Sequence, residues 1–97
     1  MTKADIVNEI SNNTGIEKTT VLKIVESFMV TVSDSLVDGN NVYLRGFGSF
    51  VIKERADKTA RDISKNTTII VPAHNIPAFK PAKTFVAKVK LANGKIN

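Results

Sequence analysis

Apolar residues follow two different periods along the 97-residue chain. Thr2 and Asp5 form a capping pair ahead of Ile6, Val7 and Ile10, which recur at helical spacing until Asn12, Asn13 and Gly15. This predicts a short helix over about 3–13. Val21, Val25, Phe28, Val32 and Leu36 then repeat at three and four residues before Asp38-Gly39-Asn40, predicting a second helix over about 18–37. Leu22, Ile24, Met29 and Val30 widen its apolar surface past one stripe, so two sides need cover: one from its own chain, the other from a partner subunit.

From Asn41 the period becomes two. Val42 and Leu44 alternate with Tyr43 and Arg45, Gly46-Phe47-Gly48 turns the chain, and Ser49 to Glu54 returns it as a hairpin. Glu54 to Asn66 is strongly polar, whereas Thr67 to Val71 is continuous and largely β-branched. Two readings stand at this point. One is a disordered charged loop. The other is a long two-stranded ribbon that turns near Lys65-Asn66, where Asn tolerates a left-handed backbone, and returns to Pro72. Ile76 to Phe79 can rejoin the sheet, and Pro81 precedes a last helix over about 83–92, with Phe85, Val86 and Val89 inward and Asn93-Gly94 ending it. The order is α-α-β-β-(arm)-β-α, an α+β chain without internal repeats.

Composition removes several function classes. Nothing approaches the roughly 20 apolar residues of a membrane span, and the N-terminus lacks a signal-peptide pattern, so a soluble intracellular protein is expected. The chain has no Cys and one His, which leaves no thiolate or His-cluster metal site and no cofactor to expect. No nucleophile–base pair and no phosphate-cradling glycine motif stands out; neither an enzyme nor a small-molecule substrate is expected, and no catalytic residue is nominated. The net charge of +5 is unevenly placed: residues 1–52 hold four Lys/Arg against six Asp/Glu, residues 53–90 nine against three. An anionic partner fits that distribution.

Arg45-Gly46-Phe47-Gly48-Ser49-Phe50, the spaced cations Arg55, Lys58 and Arg61, and Ile76-Pro77-Ala78-Phe79-Lys80-Pro81-Ala82-Lys83 together resemble the HU/IHF family of bacterial DNA-bending proteins, across residues 1–91. The resemblance implies an IHF-like intertwined dimer: a helical body, a β-sheet saddle, and two-stranded arms that enter the minor groove of double-stranded DNA. It divides a single domain, 1–97, into a helical dimerisation part (1–40), sheet and arm (41–81, the arm about 54–75) and a C-terminal helix (82–92). Phe47, Phe50 and Phe79 resemble the family's buried aromatic cluster at the subunit junction. The expected DNA contacts are Arg45, Lys53, Arg55, Lys58, Arg61 and Lys65 on sheet and arm, and Lys3, Lys80 and Lys83 on the body.

The chain departs from the family at the arm tip. Where members typically carry Arg-Asn-Pro, with Pro wedged between base pairs, Arg61-Asp62-Ile63 stands here. Ile63 is apolar enough to act as the wedge, while Asp62 repels phosphate. The expected function is architectural, with low sequence specificity and bending or compaction of DNA by a homodimer, the heterodimer left open. Rival readings are a site-preferring IHF-type heterodimer subunit, a dimeric interaction protein with weakened DNA binding, and an RNA or general polyanion binder.

Overall fold

The computed structural model describes residues 1–55, 58–62, 67–71 and 73–93. The chain forms two compact units, Met1–Ser35 and Leu36–Asn97, each taken by itself below.

In the first unit, α1 (Lys3–Thr14) starts at a capping box: the Asp5 N–H donates to the Thr2 hydroxyl at 3.3 Å, and the Thr2 N–H donates to the Asp5 carboxylate at 2.9 Å. The Thr2 N–H, and secondarily its hydroxyl, hold the Asp5 carboxyl below its usual range. The box therefore contributes at neutral pH and is lost as pH falls through that lowered value. Gly15 ends α1 in the left-handed region at φ 76°, its N–H donating to the Ser11 carbonyl at 2.8 Å. Thr14 stays helical, one residue past the expected end, with its hydroxyl donating to the Ile10 carbonyl at 2.7 Å. Helix α2 (Lys18–Val37) matches the expected span. A 2.7 Å ion pair from Lys3 Nζ to Glu26 Oε2 joins the two helices. Val7 and Val21 are buried, whereas Leu22, Ile24, Phe28, Met29 and Val30 are exposed in the single chain.

The second unit is built on an antiparallel sheet of order β1-β2-β5, with β1 Val42–Leu44, β2 Gly48–Arg55 and β5 His74–Pro81. Gly46, at φ 83°, turns β1 into β2, and the Phe47 N–H donates to the Leu44 carbonyl at 2.9 Å. β5 begins two residues before the expected Ile76, because its pairing with β2 continues to Arg55↔His74. A separate ladder pairs β3 (Lys58–Asp62) with β4 (Thr67–Val71). The two ladders are in phase: stepping outward from Gly48↔Pro81 through Arg55↔His74 leads to Lys58↔Val71 and Asp62↔Thr67 with no offset. A ribbon, not a structureless loop, follows the sheet. Its expected turn near Lys65-Asn66 lies outside the described residues.

β5 is an edge strand that contains Pro77 and Pro81. The Ile52 N–H points toward β1, where it donates to Asn41 Oδ1 at 3.0 Å, so Ile52 and Pro77 form a non-hydrogen-bonded pair. Gly48↔Pro81 has the same parity; neither proline removes a ladder bond.

Helix α3 (Lys83–Asn93) follows directly, anchored by the Ala82 N–H donating to the Phe47 carbonyl at 2.9 Å. It runs one residue beyond the expected end, where the Asn93 side chain donates to the Val89 carbonyl at 3.2 Å. Phe47, Phe50, Phe79 and Phe85 form a ring cluster, with centroids 5.2 Å apart for Phe47–Phe79, 5.3 Å for Phe47–Phe85 and 5.0 Å for Phe50–Phe79. In the single chain Phe47 is 47% and Phe79 38% exposed, so their expected burial at a subunit junction would require a second copy. Val86 and Val89, expected inward, also keep nearly half their surface open and line an apolar groove with Phe79, Pro81 and Phe85.

Gly48 is where the sheet closes most tightly, since a Cβ there would lie 2.6 Å from both the Lys80 carbonyl oxygen and the Phe79 ring. Gly48→Ala should therefore cost about 1–3 kcal/mol through overpacking. Gly46→Ala meets open space and bears only its positive-φ strain, on the order of 1–2 kcal/mol. Thermal melts should show the larger loss in Gly48→Ala; the reverse order would contradict the tight approach.

Candidate nucleic-acid interface

Cross-strand partners share a face of a sheet, and faces alternate along each strand. Val42, Phe50, Ile52, Pro77 and Phe79 consequently occupy one face, the one that carries the aromatic cluster. The opposite face carries Lys53, Arg55, His74 and Lys80, interspersed with Tyr43, Ser49, Val51, Ile76 and Ala78. Glu54 belongs to the aromatic side, so no carboxylate of the described strands β1, β2 and β5 dilutes the basic face.

Lys53, Arg55 and Lys80, all exposed, are thus brought together by register. A second grouping forms where the turn meets α3: Arg45, Lys80 and Lys83 line one shallow cleft with Tyr43, Ser49 and Pro81. Lys83 is the first residue of α3, whose first turn holds no acidic side chain, so the positive end of the helix dipole adds to the field there. The cleft's chemistry suits an oxyanion such as a phosphate.

Other expected contacts fare differently. Lys58 and Arg61 take register positions opposite Val71 and Thr68 in the ribbon. Ile63 and Lys65 lie outside the described residues. Lys3 is exposed but is not a free cation: Glu26 lies 2.7 Å away, with both side chains about half exposed, so a phosphate would have to compete for it. That pairing bridges 23 residues and left no mark in the local pattern. Sequence reading also passed over Asn41, which caps the sheet edge by accepting from Ile52 and donating to the Tyr43 hydroxyl at 3.2 Å, and over Phe85, read only as an inward helix residue. The polar Asn at the start of a strand run was the available signal for the first, the aromatic just after Pro81 for the second.

A small α+β subunit with an apolar helical face, a one-sided basic sheet and a ribbon in phase with it defines a class of proteins that clasp polyanions. The chain belongs to the bacterial DNA-binding protein family, whose model it matches over residues 1–90. It is 37% identical to DNA-binding protein HU of Thermus thermophilus over 93% of each chain. It is 32% identical to DNA-binding protein HU of Geobacillus stearothermophilus over 93% of this chain and all of that one. Among solved structures, an Anabaena HU–DNA cocrystal structure aligns with TM-score 0.88 at 29% identity, covering 92% of this chain and 97% of that one. The α+β fold is thus the HU/IHF fold, and the IHF-type reading is not favoured.

The Lys3–Glu26 pair generates a test. Glu26→Gln should release Lys3, steepen the salt dependence of duplex DNA binding by up to about one unit, and tighten binding at low salt. Electrophoretic titrations at several salt concentrations measure this; an unchanged slope would leave Lys3 outside the interface.

Proposed function

We propose that this protein is a dimeric, non-enzymatic architectural DNA-binding protein, which grips duplex DNA through paired arms, bends it, and works on the chromosome in the cytoplasm. The observation that carries this reading is the one-sided basic sheet, whose register runs on in phase into the ribbon. Lys53 and Arg55 start a cationic track that Arg61 continues with the same parity, while Lys58, of the opposite parity, and Lys65 add charge to the arm that enters the minor groove. Arg45, Lys80 and Lys83 hold a phosphate of the flanking duplex in their cleft, and Lys3 adds a further body contact once Glu26 is displaced. Such contacts position DNA without reading its bases, which gives low sequence preference.

The same reading assigns the exposed apolar surface to a second copy of the chain. Leu22, Ile24, Phe28, Met29 and Val30 on α2 and, in the other unit, the half-open rings of Phe47 and Phe79 are apolar groups that dimerisation would cover. A core of so little buried apolar area is marginal alone. The melting temperature should rise with protein concentration, because association is linked to folding. A folded monomer in sedimentation at micromolar concentration would contradict this.

Ile63 supplies the wedge. Ile63→Ala should reduce the bend measured by fluorescence transfer and the preference for nicked or kinked duplex, while affinity for straight duplex changes less, because cations supply most of that affinity. Arg55→Ala, Lys58→Ala and Arg61→Ala combined should do the opposite, flattening the salt slope by roughly one unit per lost phosphate contact. An equal bend for wild type and Ile63→Ala at saturation would falsify the wedge. Absence of salt-sensitive duplex binding would overturn the function itself.

A further inference from the structure

We infer that Tyr43 is a further DNA-contacting residue: its phenolic O–H, aimed by Asn41, donates to the backbone phosphate held in the cleft of Arg45, Lys80 and Lys83. This rests on the DNA-binding function proposed above.

Tyr43 is 72% exposed, although it stands in the middle of β1. Its register partner is Ser49, whose partner on the other side is Lys80, so the three form one row across the basic face. All three line the cleft that Arg45 and Lys83 complete. Adjacent strands lie about 4.8 Å apart, so the long side chains of Tyr43 and Lys80 flank the short Ser49 and can meet one phosphate above it.

The polarity of the hydroxyl follows from Asn41. The Ile52 N–H can only donate, and it donates to Asn41 Oδ1 at 3.0 Å. That fixes the amide. Nδ2 therefore faces Tyr43 and, being a donor, gives its hydrogen bond to the phenolic oxygen at 3.2 Å. The hydroxyl is thereby engaged as an acceptor, and its own proton, which meets no acceptor among the described residues, is left to donate outward. A phosphate oxygen only accepts, so the cleft offers it a neutral donor beside three cations.

A neutral donor releases no counterion, whereas each cation lost from a phosphate contact flattens the salt slope by about 0.9. Removing the O–H should weaken binding on the order of five- to tenfold, as expected for a hydrogen bond to a charged acceptor, without changing the slope.

The test is fluorescence anisotropy with a labelled straight duplex at several salt concentrations, with thermal melts to establish that each variant is folded. Tyr43→Phe, which keeps the ring, should bind about five- to tenfold weaker with the wild-type slope. Asn41→Asp keeps an acceptor for Ile52 but turns a second acceptor on the phenol, which captures its proton. On that background Tyr43→Phe should cost nothing further. Equal affinity of wild type and Tyr43→Phe would remove Tyr43 from the interface and overturn the inference alone. The same loss from Tyr43→Phe on both backgrounds would overturn the positioning role of Asn41. No salt-sensitive duplex binding by wild type would overturn the function on which the inference rests.

Discussion

A one-residue slip between β2 and β5 would carry Phe50 to the side now occupied by Lys53 and Arg55, and bring those cations against the rings of Phe47 and Phe85. The tightest β2–β5 approach is at Gly48. At Gly48, the missing side chain lets the Lys80 carbonyl and the Phe79 ring approach to distances no Cβ would permit. On the other side of β2, the Asn41 side-chain oxygen accepts from the Ile52 N–H, which turns that N–H away from β5 and so sets the parity of the Ile52↔Pro77 pair. The non-hydrogen-bonded parity of Phe50↔Phe79 brings opposed side chains close, and their ring centroids lie 5.0 Å apart. Separation of an apolar from a cationic face follows from this one alignment.

The helical unit shows a different balance. Local devices specify it well: a reciprocal cap at Thr2 and Asp5, a left-handed stop at Gly15, and an ion pair across the helices. Its interior is small, with only Val7 and Val21 buried among its described side chains. Caps and surface pairs contribute about a kcal/mol or less apiece, whereas covering a large apolar side chain contributes about 1.5–3. The apolar face of α2 is therefore the larger reserve of stability, and a second copy of the chain would draw on it.

Helix boundaries were legible because caps and terminators are local: Gly15 and Gly39 mark ends that the structure places within a residue of expectation. The strand change at Asn41 was equally plain. Ambiguity remained in the polar stretch after Glu54, whose ladder partners lie across the tip and so depend on chain pairing instead of composition. The candidate site was legible as residue types but not as groupings. Arg45 and Lys83 are far apart in sequence, and the Gly48↔Pro81 pairing with the Ala82–Phe47 hydrogen bond draws the start of α3 to the turn that holds Arg45. Lys3 was read as an open charge because nothing near it in the chain announces Glu26.

Pro77 and Pro81 have a consequence for crowding. A free sheet edge invites another strand, and proteins that coat a polymer at high local density bring such edges together repeatedly. Both prolines lie on the edge strand with their nitrogens turned outward, so the outer margin of β5 lacks donors at two alternate positions. A further strand laid along this edge would forgo two backbone hydrogen bonds, which disfavours edge-to-edge pairing between neighbouring copies.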